Sequence, residues 1–158
     1  MIIGGSKKEV IENIKKNTIS LELNKKVEVG DPILDDYEIN KLLDNFYKNR
    51  KSPLYNLKKK YANKIVKKMQ SEVGEIDIDG LDNLKNLDLS KGAIITCNHF
   101  NPLDSYAIRK VAHELNKKLY IVIEDTNLKL PGIIGFLMNN LDVLPVSKSP
   151  NYLTQKFS

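Results

Sequence analysis

The chain is poor in the residues that build disulfide frameworks and metal sites. It has one cysteine and two histidines among its 158 residues. A single cysteine excludes an internal disulfide, and no paired cysteine and histidine spacing of the kind that binds zinc occurs along the chain. We therefore expect a fold held by an apolar core, without a metal site.

Long apolar stretches are also missing. No segment approaches the roughly 20 uninterrupted apolar residues that a helix needs to span a bilayer. Residues 1–6 are followed by charges instead of a long apolar run, which argues against a secretion signal. We expect a cytoplasmic protein that is soluble or associated peripherally with the inner face of the membrane.

What the chain does have is a moderate apolar content and an excess of positive charge. Apolar residues make up 41% of the sequence, which is enough for the core of one compact domain. The 25 lysines and arginines outnumber the 20 acids, which gives a formal net charge of +5. This balance suits an anionic partner, whether a lipid headgroup, a nucleotide or a nucleic acid, and does not choose among them.

Residues 1–73 are predicted to form a helical N-terminal segment. A short amphipathic helix is predicted over residues 7–16, and alternating apolar residues between 19 and 29 suggest a weak hairpin. Asp35 and Glu38 resemble a capping box that begins the next helix. The buried stripe predicted for that helix is Ile39, Leu42, Leu43 and Phe46.

A second long helix is predicted from Pro53 to about Val73, ended by Gly74. Its apolar face is predicted to be Leu57, Tyr61, Ile65 and Met69. Six lysines cover much of the rest: Lys58, Lys59, Lys60, Lys64, Lys67 and Lys68. Two interpretations stay open, a solvated outer face or contact with anionic lipid. Nucleic-acid binding is disfavoured, because these lysines are not accompanied by arginine and the chain has no RNA-binding motif.

Residues 74–158 alternate between strand and helix patterns. Strands are predicted at 75–79, 93–97, 119–123 and 142–146, and helices at about 103–116 and 132–139. Such alternation predicts an α/β fold with a mainly parallel sheet and flanking helices. In these sheets chemistry gathers beyond the carboxyl ends of the strands, where His99, Glu124, Asp125 and Lys148 fall.

The most informative stretch runs from Asn98 to Asp104, directly after the apolar run 93–97. His99 and Asp104 are five positions apart, so on one continuous helix their side chains would not meet. Pro102 pushes Asn101 out of helical conformation, and a bend there can bring the carboxylate back to the imidazole. A histidine oriented by a carboxylate is suited to act as a general base towards a hydroxyl.

This Asn-His-x-x-x-x-Asp pattern, after a strand and before a helix, resembles the first motif of the glycerolipid acyltransferases, the lysophosphatidic-acid acyltransferase superfamily. The resemblance covers roughly the second half of the chain. It implies that His99 deprotonates the acceptor hydroxyl, that Asp104 holds the imidazole in its reactive tautomer, and that Asn98 lies in the substrate site. It further implies a thioester co-substrate, on coenzyme A or acyl carrier protein, and no cofactor.

A second stretch extends the resemblance. Residues 130–136 and 142–148 are similar to the family's apolar Pro/Gly segment and the strand after it, which usually ends in an arginine for the acceptor's phosphate. Lys148 stands at that place and keeps the charge without the bidentate fork. Glu124 stands where many members have a lysine, and we assign it to the acceptor site.

The family's Pro-Glu-Gly motif is not reached before Ser158. We therefore expect the α/β core, 74–158, to be an incomplete domain, and this length of chain to be a poor catalyst alone. The implied activity is that of a 1-acylglycerol-3-phosphate acyltransferase in phospholipid biosynthesis, acting on a lysophospholipid-like acceptor. A polyol or cell-envelope acceptor, consistent with Glu124, is one alternative. A non-catalytic fragment that binds anionic membrane through its lysine-rich helix is another.

Several residues have plainer interpretations. Cys97 is predicted to be a small buried thiol at a strand end. Glu124 and Asp125 are predicted to be solvated loop carboxylates, with a role in the acceptor pocket as the alternative. His113 is predicted to lie on a helix surface. The apolar segment 131–138 fits a core helix, the lining of an acyl-chain tunnel or a membrane contact equally well.

Overall fold

A computed structural model of the chain describes residues 7–25, 27, 32–98 and 103–147. Helices predominate, and a two-stranded sheet lies near the C-terminal end of the described part. In chain order the elements are α1 (Lys7–Ile19), α2 (Asp36–Arg50), α3 (Tyr55–Val73), α4 (Leu81–Lys85), α5 (Asp104–Glu114), β1 (Ile121–Glu124), a 3-10 helix (Asp125–Lys129), α6 (Gly132–Asn140) and β2 (Val143–Val146).

Helix α2 begins with the predicted capping box. The Glu38 backbone N–H donates to Asp35 Oδ1 at 2.8 Å, and the Asp35 backbone N–H donates to Glu38 Oε2 at 3.3 Å. These two bonds satisfy free amides at the helix start, which fixes where the helix begins. The predicted stripe is confirmed, because all four of its residues lie in or against the core: Ile39, Leu42, Leu43 and Phe46.

Helix α3 confirms the predicted bounds and corrects the predicted face. It ends at Gly74, whose φ of 90° lies in the left-handed region that glycine tolerates best. Of the predicted face, Ile65 and Met69 pack against the core, whereas Leu57 and Tyr61 are exposed. The buried residues are Tyr55, Ala62 and Val66, so the buried face is shifted from the predicted one towards small Ala62 and branched Val66, which let α3 approach its neighbours.

The α/β class is confirmed by the elements that follow. Strands β1 and β2 are parallel neighbours, with Ile121 opposite Val143 and Glu124 opposite Val146. Helix α6 connects them, as a parallel pair requires a crossover between its strands. The predicted helices at 103–116 and 132–139, and the strands at 119–123 and 142–146, are present within a residue or two.

One hydrophobic core joins the helices of residues 36–73 to the sheet region. It is formed by Leu43, Phe46, Ala62, Val66, Ile123, Leu128, Leu137, Leu141 and Val143. Side chains from both predicted segments, 1–73 and 74–158, therefore pack together. The division of the chain at residue 73 stays a prediction about organisation along the sequence.

Helix α6 belongs to this core. Leu137 is buried within it, and Gly135 lies against the backbone before the helix. A Cβ at Gly135 would stand 1.7 Å from the Leu130 carbonyl oxygen, so glycine is required there. At the start of the helix Ile133 is exposed, so the core interpretation holds for one side of α6.

Two predicted strands are wrong. Residues 75–79 and 93–97 have no strand structure, and 93–97 are exposed along their whole length. Cys97 is therefore exposed, and the prediction of a buried thiol is wrong. The physical reason is that apolar, β-branched residues form a strand only beside a partner, and in the described part of the chain β1 and β2 pair only with each other.

The hairpin predicted for residues 19–29 is wrong where it can be followed. Helix α1 continues to Ile19, and residues 20–25 form turns, with the Asn17 side chain donating to the Lys25 carbonyl at 3.3 Å. Residues 26 and 28–31 lie outside the described part. No helix within the described ranges is long and apolar enough to cross a membrane.

Candidate active site

The predicted motif flanks the start of α5. Asp104 is the first residue of this helix and is half-buried, and Asn98 is exposed in a stretch without regular secondary structure. His99 lies outside the described residues, so its predicted hydrogen bond to Asp104 stays a prediction.

The carboxyl edge of the sheet carries the second part of the candidate site. Glu124 is the last residue of β1, lies opposite Val146 and is half-buried. Ser147 follows β2 and is buried, and the next residue, Lys148, lies outside the described residues. The parallel register therefore places Glu124 and the end of β2 at the same edge. Whether Asn98, Glu124 and Lys148 bind a substrate stays a prediction.

Asp125 differs from its predicted character. It is only 4% exposed, and its Oδ1 accepts a hydrogen bond from the Thr126 backbone N–H at 2.7 Å. The bond joins the carboxylate to the next residue of the 3-10 helix, so it has a local structural role. The prediction of a solvated loop carboxylate is wrong for Asp125, and Glu124 is only half-buried.

At the amino edge of β2 lies an arginine that the sequence reasoning did not identify. Arg50 Nη2 donates to the carbonyl oxygens of Leu141 at 2.7 Å and Val143 at 3.1 Å. Its guanidinium lies 4.3 Å from the Phe46 ring centroid and 5.4 Å from that of Tyr55. One nitrogen of the guanidinium, Nη2, thus donates to both carbonyl oxygens and holds the chain where β2 begins.

Asp142, which lies in sequence between Leu141 and Val143, adds ion pairs at the start of β2. Asp142 accepts a hydrogen bond from Lys59 at 2.7 Å and lies 3.5 Å from Lys118. The hydrogen bond from Lys118 to Tyr120, assisted by Asp142, raises the pKa of the Lys118 ammonium. Because this cluster lies at the amino end of β2, it positions the strand on the side away from the candidate site.

A sequence signal for Arg50 existed. The chain has only two arginines, Arg50 and Arg109, among 25 basic residues, and both are half-buried, whereas most of the lysines in the described part are exposed. Burial lowers the pKa of the Arg109 guanidinium, while Tyr106 and Asp142 act in the opposite direction. In a lysine-rich chain, a rare arginine marks a place where fixed donor geometry matters.

Metal chemistry has no candidate ligands in the part of the chain that the structure covers. No group of three or more histidines, cysteines, aspartates and glutamates there could hold an ion.

Comparison with known proteins identifies the family of the chain. Comparisons with curated proteins and with solved structures find no match. A family profile described as Acyltransferase matches residues 75–157, which is more than half of the 158-residue chain. The matched range contains α5, both strands, α6 and the stretch from Asn98 to Asp104. By this match the chain belongs to the Acyltransferase family.

Proposed function

We propose that the protein transfers a fatty acyl group from an acyl thioester, carried by coenzyme A or acyl carrier protein, to a hydroxyl of an anionic glycerolipid such as a lysophospholipid. The observation that carries this proposal is the match of the Acyltransferase family to residues 75–157. The match supports acyl transfer in general. The acceptor, the donor and the base are our own assignments.

In the proposed mechanism the Nε2 or Nδ1 atom of His99 accepts the proton of the acceptor hydroxyl. The hydroxyl oxygen then attacks the thioester carbonyl carbon, the C–S bond breaks, and the proton passes from the imidazolium to the departing thiolate. Asp104 holds the imidazole in the reactive tautomer. Its position at the start of α5, five residues after His99 in the sequence, supports this role.

The acceptor would lie at the carboxyl edge of the sheet. Lys148 is assigned to the acceptor's phosphate, and Glu124 and Asn98 to its remaining polar groups. Support for Glu124 comes from its position at the end of β1, half-buried beside β2. A carboxylate at that place also suits hydrogen bonding to an uncharged polyol, so the acceptor panel has to include one.

The test measures acyl transfer directly. The protein is incubated with acyl-coenzyme A or acyl carrier protein thioester and with lysophosphatidic acid or a polyol, and the acylated product is measured by mass spectrometry. Thiol reagents are avoided, because Cys97 is exposed and would react with them. Product that forms with the polyol alone would reassign the acceptor. Absence of product with every pair, in a form of the protein that includes any residues encoded beyond Ser158, would contradict the proposal.

Removal of His99 identifies the base. His99→Ala should lower the transfer rate by about 10² or more, as expected when a positioned general base is lost. Asp104→Asn should also be severe, since the amide leaves the imidazole in the wrong tautomer. His113→Ala is the matched control, because His113 is exposed near the end of α5. Unchanged thioester-dependent turnover in His99→Ala would end this assignment.

A further inference from the structure

Helix α3 presents apolar side chains on its outer face. Leu57 is 63% exposed and Tyr61 is 61% exposed, whereas Ile65 and Met69, further along the same helix, pack against the core. Residues four apart on a helix are neighbours on one face, so the two side chains lie side by side. An exposed leucine and tyrosine in adjacent turns form an apolar strip that no described residue covers.

Helix α6 continues this strip. The Tyr61 ring lies edge to face against Phe136, with 5.9 Å between the ring centroids. Ile133, three residues before Phe136 and thus on the same side of α6, is 53% exposed. The apolar surface therefore extends from α3 across the contact between the two helices.

A row of lysines borders the strip on α3. Lys60, Lys64 and Lys68 follow one another at four-residue spacing and are all exposed. Lys60 is three residues after Leu57, and Lys64 three after Tyr61, so the lysine row adjoins the apolar row. We call these six residues the α3–α6 surface: Leu57, Lys60, Tyr61, Lys64, Lys68 and Ile133.

We propose that the α3–α6 surface binds the interfacial region of an anionic lipid bilayer. Apolar side chains flanked by lysines fit this partner, because the former can enter the boundary between headgroups and acyl chains while the ammonium groups meet lipid phosphates. Charge complementarity selects it over a second copy of the chain. A symmetric dimer through this surface would bring one lysine row against the other.

This proposal stands apart from acyl transfer. It rests on exposure and charge on α3 and α6, and a protein with no transferase activity could still bind a bilayer in this way. If both proposals hold, the surface would keep the protein where lipid acceptors are found.

The first experiment measures sedimentation with vesicles of phosphatidylcholine, with and without phosphatidylglycerol. Binding should require the anionic lipid and should weaken between about 0.1 M and about 1 M salt, as the screening length falls from about 10 Å to about 3 Å. The combined change Lys60→Gln, Lys64→Gln, Lys68→Gln should weaken binding by about 100-fold, at roughly five-fold for each lysine. Circular dichroism confirms that this variant is folded.

A charge-matched control comes from α1. Lys8, Lys15 and Lys16 are exposed as well, so replacing all three by glutamine removes the same charge at another place. That control should bind within a few-fold of the original protein. Equal losses in the two triple variants would overturn the proposal in favour of a non-specific response to net charge.

The second experiment tests insertion of the apolar strip. The chain contains no tryptophan, so Tyr61→Trp introduces a single reporter. Its emission should shift to the blue with anionic vesicles and should be quenched by brominated lipids. Tyr37→Trp, at a position on α2 that is 74% exposed, should show neither effect. A response of both reporters, or of neither, would contradict insertion at this surface.

The variant Leu57→Ser distinguishes binding to a bilayer from binding to a second copy of the chain. On the bilayer proposal it should weaken vesicle binding and leave the sedimentation coefficient of the free protein unchanged. A dimer that Leu57→Ser dissociates, together with no vesicle binding, would overturn the proposal and identify the surface as an interface between two copies.

Discussion

Replacing Gly135 by alanine is the sharpest test of the packing around α6. The added Cβ would lie 1.7 Å from the Leu130 carbonyl oxygen and 2.8 Å from its carbonyl carbon, and contacts below 3.0 Å essentially do not occur. Because both atoms belong to the backbone, no side-chain rotation relieves the clash. The segment before α6 must move, and this disturbs Leu128, whose carbonyl accepts a 2.8 Å hydrogen bond from Asn139.

Two opposing effects set the magnitude. Glycine to alanine inside a helix contributes about 1 kcal/mol of stability through helix propensity. Overpacking typically costs about 1–3 kcal/mol, and a clash with backbone belongs at the upper end or beyond. We therefore expect the free energy of unfolding to fall by about 2 kcal/mol. For a chain of this size the melting temperature should fall by roughly 4–8 °C.

Urea unfolding followed by far-ultraviolet circular dichroism measures this change, since the chain has no tryptophan for fluorescence. Lys67→Ala on the exposed face of α3 is the control for an alanine placed in a helix and should leave stability nearly unchanged. A Gly135→Ala protein as stable as the original, or more stable, would refute the close approach of Leu130 to α6.

Two further outcomes follow from the structure. Arg50→Met should lower the free energy of unfolding by about 1–3 kcal/mol, because the Val143 carbonyl loses its Arg50 donor at 3.1 Å, whereas the Leu141 carbonyl keeps the Val143 backbone N–H at 2.9 Å. Urea midpoints check this, and an Arg50→Met protein as stable as the original would contradict the described hydrogen bonds. Cys97 should be alkylated by iodoacetamide nearly as fast in the native protein as in urea, because it is exposed, whereas strong native protection would restore the buried strand at 93–97.

Local signals predicted the elements that local chemistry determines. The capping box of Asp35 and Glu38 placed the start of α2, and Gly74 placed the end of α3. The apolar runs that predict β1 and β2 match the observed strands within a residue or two, because these two runs pair with each other. In each case the information lies within a few residues along the chain.

Predictions failed where the outcome depends on distant parts of the chain. The run 93–97 has the composition of a strand, yet pairing needs a neighbour that composition cannot supply. On α3, periodicity predicted an apolar face of which Ile65 and Met69 pack against the core, but the close packing of Ala62 and Val66 shifts the buried side away from the rest of that face. Size and hydrophobicity favoured Leu57 and Tyr61, and these are the exposed residues.

In the candidate site, too, some residues were predicted from local sequence and others were not. Asp104 and Glu124 lie at a helix start and a strand end as the pattern of elements predicted. Asp125 was misjudged, because burial of a carboxylate depends on the packing around it. Arg50 was missed because its partners, at Leu141 and Val143, are far away along the chain and leave no local pattern.

The long separation in sequence between Arg50 and its partners also affects how the protein folds during its synthesis. Arg50 donates to Leu141 across 91 residues, and the core joins α2 and α3 to β1 and β2. Contacts of such long range slow folding. At a synthesis rate of about 5–20 residues per second, α2 waits roughly 5–20 s for its partners to be made. During that interval the inner faces of both helices are available to a chaperone, and ribosome stalling before residue 143 would prolong it.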